Sequence, residues 1–160
     1  MRRGFVGAVV FLLAMSAHAE NVVLVASFIP YANESTGTED VRKECTWNTT
    51  MPRYLAKESH GLVKVADQNI DTVTDKKLVL AATQVHTAGA GGWSGPKWLV
   101  LRGTLTEGSK LLGSFEARRQ TIRGSLRGCG TLDSLSEDIA DDILGWLKTP
   151  SLDAKLGDAK

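Results

Sequence analysis

Few residues in this chain have the type and spacing that chemistry needs. The densest group is "GAGGWSGPKW", Gly89 to Trp98. Glycines in such a run could cradle a phosphate, but neither G-x-G-x-x-G nor G-x-x-x-x-G-K-[ST] fits their spacing, and Pro96 separates Gly95 from Lys97. The flanking segments read as strands, so no helix amino terminus would point at a phosphate there. Two readings remain. The first is a hairpin loop whose glycines supply positive φ and whose bend ends at Pro96. The second is a contact patch of Trp93, Ser94 and Lys97, because aromatics among small residues are surfaces that partners use.

The other candidates are weaker. Arg118, Arg119, Arg123 and Arg127 form a basic run that reads as solvated strand and loop arginines or, alternatively, as an anion-recognition patch. His86 lies near a strand end with no orienting carboxylate or cysteine at ligand spacing, and His60 precedes Gly61 at a helix end. Ser94, Ser114 and Ser125 show no nucleophile-elbow pattern. The acidic residues from Glu137 to Asp142 read as a solvated helix face, since they lack the glycine-containing oxygen-rich loop of a calcium site. No catalytic constellation, cofactor or metal site is expected.

Cys45 and Cys129 are the only cysteines. An even pair in an oxidising compartment argues for one disulfide, here joining the first helix to the start of the last; two buried free thiols are the alternative. The compartment is read from residues 1–19. Arg2 and Arg3 precede the apolar run Phe5 to Met15 and the small-residue site Ala17-His18-Ala19, the pattern of a cleavable secretory signal peptide. The apolar run is short for a bilayer span. Removing Arg2 and Arg3 from the 19 basic residues leaves 17 against 18 acidic ones. That near-neutral balance gives no reason to expect nucleic acid as a partner, and no stable membrane insertion is expected after signal removal.

The elements that must position these residues follow from periodicity. Asn21 to Ile29 is a valine-rich run that predicts a buried strand. Thr38 suits the cap of a helix with Glu39 and Asp40 in its first turn; Pro52 either kinks that helix or begins a second, and Gly61 stops it. Leu62 to Ala66 predicts a short strand. Lys77 to Thr87, Lys97 to Thr106 and Lys110 to Arg123 predict a three-stranded meander, with a tight turn at Glu107-Gly108 and one face wetter than the other. Gly128-Cys129-Gly130 reads as a break. Thr131 to Lys148 then carries a 3.6-residue apolar stripe that sends Ile139 and Ile143 to the sheet and Asp138 and Asp142 to water. The expected fold is α+β, in the order β-α-β-β-β-β-α: a mixed, mostly antiparallel sheet of about five strands with two helices on one face. Residues 20–148 form the single domain and 149–160 a disordered tail.

"GGWSGPKWLVLRGTLTEGSKLLGSFEARRQT", "GCGTLDSLSEDIADDILGWL" and "ECTWNTTMPRYL" together resemble an uncharacterised family of small bacterial periplasmic or lipoprotein-like envelope proteins. The order of elements is similar to that of the amino-terminal domain of the translocation protein TolB and of the curli-secretion lipoprotein. The resemblance implies a periplasmic α+β module, not an enzyme. With the residues above, the expected function is a binding or assembly module acting on an envelope protein or polysaccharide, with Trp93, Ser94, Lys97, Arg118 and Arg119 as its contact residues. The alternative is a small periplasmic enzyme with a site formed by the Trp93 loop and nearby arginines.

Overall fold

The computed structural model describes residues 22–87, 95–122 and 128–160. The expected signal peptide, Trp93 and Ser94, and Arg123 and Arg127 lie outside these residues.

Three long strands carry the fold: β3 (Lys76–His86), β4 (Lys97–Glu107) and β5 (Lys110–Thr121). They form the antiparallel meander expected from the sequence, with ends within two residues of the expected ones. Three short strands complete the sheet: β1 (Val23–Val25), β2 (Val63–Val65) and β6 (Ala154–Gly157). The spatial order is β2-β1-β3-β4-β5-β6, with β1 parallel to both its neighbours and β6 parallel to β5. The protein is thus α+β, with six strands where about five were expected.

The first strand is shorter than its apolar run. The chain bends at Ser27-Phe28, and Ile29 is 1% exposed. Ile29 N–H donates to the Asn48 carbonyl at 2.9 Å. This contact explains Pro52. A proline in a helix interior leaves the carbonyl four residues earlier without its helical donor. That carbonyl belongs to Asn48, and Ile29 supplies the missing donor. Pro52 therefore sits inside α2 (Trp47–Glu58) and neither breaks nor starts a helix. The interruption comes earlier, at Cys45-Thr46, where Cys45 is extended and closes α1 (Glu39–Glu44). Thr38 caps α1 as expected, its hydroxyl accepting from Val41 N–H at 3.3 Å.

The third helix, α3, runs from Gly128 to Leu147. Gly128-Cys129-Gly130 is helical, not a break, and this turn carries a covalent tie. Cys129 in the first turn is disulfide-bonded to Cys45 at the end of α1, with 5.1 Å between the Cα atoms. A link across 84 residues stabilises by roughly 4–5 kcal/mol in the chain-entropy view, more than the poor helix propensity of two glycines takes away. Leu132, Ile139 and Ile143 of α3 are fully buried, as are Leu99 and Leu101 of β4 and Trp47, Met51 and Leu55 of α2. Phe115 lies across Gly103, its register partner, where any Cβ would fall 2.2 Å from the ring. The same ring meets Trp146 edge-on at 4.8 Å.

Two expectations are corrected. Asp142 does not face water. Arg119 Nε donates to its Oδ2 at 2.8 Å and Nη2 to Oδ1 at 2.6 Å, a bidentate pair beside β6. The residues expected to form a disordered tail instead finish the sheet. Ser114 N–H donates to the Ser151 carbonyl, β6 pairs with Phe115 to Arg118, and Gln120 N–H donates to Asp158 Oδ2. The tail satisfies an edge that would otherwise be open to another chain's strand.

Gly157 lets that tail dock. Its φ is +63°, and a Cβ there would lie 2.5 Å from the Arg118 carbonyl and 2.7 Å from Asp142 Oδ2. Gly157→Ala is expected to lower stability by more than about 1 kcal/mol and to speed exchange of the Asp158 amide, which donates to Arg118 O. Thermal unfolding and hydrogen exchange check this; an unchanged Asp158 amide would show that β6 is not held this way.

Candidate functional site

Alternation along β3, β4 and β5 divides their side chains between two environments. Leu78, Leu80, Leu99, Leu101, Leu105, Phe115 and Ala117 join the core under the helices. The opposite set lies on the other face, where the most prominent group is aromatic and basic. His86 of β3 and Trp98 of β4 are register partners, and their rings stack 3.8 Å apart at 14°. On the β5 side, the Arg118 guanidinium carbon lies 5.9 Å from the Trp98 ring centre. Arg118 Nη2 donates to Gln120 Oε1 at 2.9 Å, whereas its buried Nε has no hydrogen-bond partner among the described residues.

Nearer β6 the face is ionic. Glu116 accepts from Arg102 Nη2 at 3.1 Å and from Lys155 Nζ at 3.0 Å. These partners, Lys155 foremost, hold the Glu116 carboxyl below the usual carboxylate range against the opposing effect of burial. Ser114 and Asp153 bond to each other twice, hydroxyl to carboxylate and backbone N–H to hydroxyl.

Among the described residues, three clefts lie on this face. One of 210 Å³ lies between the 33–37 loop and the His86–Trp98 stack. One of 290 Å³ contains Arg118, Gln120 and Asp158. One of 320 Å³ contains Arg102, Ser114 and Lys155. Gln84 lines the first two and Glu116 the last two, so the clefts adjoin one another.

The structure separates residues that the sequence placed together. Arg118 and Arg119 are adjacent in β5 and therefore point to opposite faces, Arg118 to the open trough and Arg119 to Asp142 of α3. Lys97 begins β4 with a buried side chain, 8% exposed. The stack of His86 on Trp98 was missed. Both side chains fall on one face, but their pairing depends on the register of β3 against β4. That register includes a bulge between Ala82 and Gln84, for which the sequence carries no mark. Among the described residues, no group of three or more His, Cys, Asp or Glu could hold a metal ion. No helix among them is long and apolar enough to cross a membrane. The arrangement can stack, donate and accept.

No family model matches the sequence, and no curated protein matches it. In fold the chain is similar to protein XCC0632 from Xanthomonas campestris, whose crystal structure is described as family-model DUF330. The two are 13% identical over 79% of this chain and 82% of that one, with a TM-score of 0.51. It is more distantly similar to a PelC dodecamer from Paraburkholderia phytofirmans, at 18% identity over 74% of this chain and 82% of that one, with a TM-score of 0.40. The first likeness shows the fold alone, and the second is too distant to bear on function. Neither neighbour is TolB or the curli-secretion lipoprotein, so the expected resemblance reaches only as far as an uncharacterised family's fold.

The ionic end of the trough gives a pH-dependent expectation. A carboxyl held low in the folded state contributes stability above its unfolded pKa of about 4.3, and that contribution is lost as pH falls through the folded value. Glu116→Gln should therefore lower stability at pH 7 by at most about 1 kcal/mol, since the pair is partly exposed. Its difference from the unsubstituted protein should shrink as pH falls below the carboxylate range. Denaturant titrations at pH 7 and pH 3 check this, and a difference that grows toward pH 3 would contradict it.

Proposed function

We propose that the chain is a periplasmic, non-enzymatic binding or assembly module that engages an envelope protein or polysaccharide through the open face of its sheet. One observation carries this reading: β3, β4 and β5 bury one face under the helices and leave the other as a polar trough of adjoining clefts crossed by the His86–Trp98–Arg118 row. A disulfide tying α1 to α3 supports export, because such a bond persists in an oxidising compartment. The signal-like residues 1–19 agree with export, and cleavage before Glu20 would leave the described fold whole. In this reading Arg118 contacts the partner and Arg119 holds the scaffold, Lys97 is buried in β4 and takes no part, and Trp93 and Ser94, outside the described residues, remain the further contact candidates.

Two measurements on the protein expressed with its full leader test the proposal. Amino-terminal sequencing of the exported form should begin at Glu20. A photocrosslinking amino acid at Gln84, an exposed position in the trough, should capture an envelope component in intact cells. The same group at Asp138, exposed on α3, should capture little. Equal capture from both faces, or a chain that stays in the cytoplasm with its leader intact, would overturn the reading.

A further inference from the structure

The shape and chemistry of the trough narrow the partner. The clefts adjoin at Gln84 and Glu116 and lie in a row from the 33–37 loop to β6, an arrangement that suits an extended ligand rather than a compact one. An extended peptide would bind best by adding a strand, which needs free main-chain donors and acceptors. Over the middle of this face they are already used: β4 lies between β3 and β5, and β5 is finished by β6, Ser151 and Asp158. Recognition over β4 and β5 therefore comes from side chains.

Those side chains are of a particular kind. His86, backed by Trp98, gives a flat aromatic wall. Opposite it lie Asn33 and Ser35; Asn33 Oδ1 is occupied by Ser35 and Thr36, leaving its amide N–H groups as donors. Gln84 and Gln120 add amides, and Arg118 adds a guanidinium beside Trp98. Charge complementarity decides the sign of the ligand. Acidic and basic groups interleave, with Glu116 and Asp153 in one cleft with Arg102 and Lys155, and Asp158 in the same cleft as Arg118, so among the described residues no block of one sign awaits a polyanion or polycation. An aromatic wall with amide and hydroxyl partners and balanced charge matches a sugar ring, which has an apolar C–H face and a rim of hydroxyls.

We infer that the trough binds a neutral oligosaccharide chain, with successive rings seated in the adjoining clefts. The inference rests on the proposed binding role and names its ligand class. It is tested on the exported protein by calorimetric titration with hexamers of glucose, of N-acetylglucosamine and of galacturonic acid, and with the matching dimers. A neutral hexamer should bind saturably and at least tenfold more tightly than its dimer. His86→Ala and Gln84→Ala should each weaken that binding at least tenfold with the melting temperature unchanged, since both side chains are exposed. Failure of both neutral hexamers to bind, binding of the acidic hexamer alone, or binding indifferent to both substitutions would overturn the inference. Capture of an envelope protein from Gln84, together with no glycan binding, would overturn it while leaving the binding module standing.

Discussion

The packing of α3 across β4 and β5 is the constraint on which the rest of the structure depends. Because side chains along a strand alternate strictly, a helix that claims Leu99, Leu101 and Phe115 also decides that Trp98, Arg118 and Glu116 stay outside. A slip of one residue would put charge into the core and leucines into water. The register of the open face is therefore fixed from behind, by apolar contacts that never touch it.

That helix is held at three places along its length. Its first turn is tied to α1 by the Cys45–Cys129 bond, its middle lays Ile139 and Ile143 on the sheet, and its end places Asp142 on Arg119 and Trp146 on Phe115. Trp146 approaches β5 closely enough that a Cβ on Gly113 would fall 2.6 Å from its ring. The Arg119–Asp142 pair also receives the last strand, since Gly157 passes beside it. Edge closure, helix docking and trough geometry therefore meet near one ion pair. The half-buried pair is more than decoration, as the bidentate geometry makes it stronger than an ordinary surface contact.

Much of this was legible where short-range patterns carry the physics. The meander follows from alternation, the stripe of α3 from its 3.6-residue period, the start of α1 from Thr38, and the disulfide from a cysteine count. What was not legible was set by contacts distant in sequence. Pro52 survives in a helix because Ile29, far earlier, supplies a donor to Asn48. Gly128 and Gly130 are helical beside Cys129, which is crosslinked to a residue 84 positions away. β6 has no strand-like pattern of its own; "AKLG" becomes a strand because β5 presents an unfinished edge. The site divided in the same way. The basic run was visible, but the opposite fates of its neighbouring arginines depend on where α3 ends, and the stack on Trp98 depends on a bulge in β3.

The two arginines give the most direct test of the claim that alternation divides scaffold from contact surface. Arg118 and Arg119 share charge, size and position in the chain and differ in the face they occupy. The measurement is thermal unfolding of Arg118→Ala beside Arg119→Ala. If the division is correct, Arg119→Ala lowers the melting temperature by several degrees, because Asp142 loses its bidentate partner beside β6, while Arg118→Ala changes it far less. Equal losses, or a larger loss from Arg118→Ala, would contradict it.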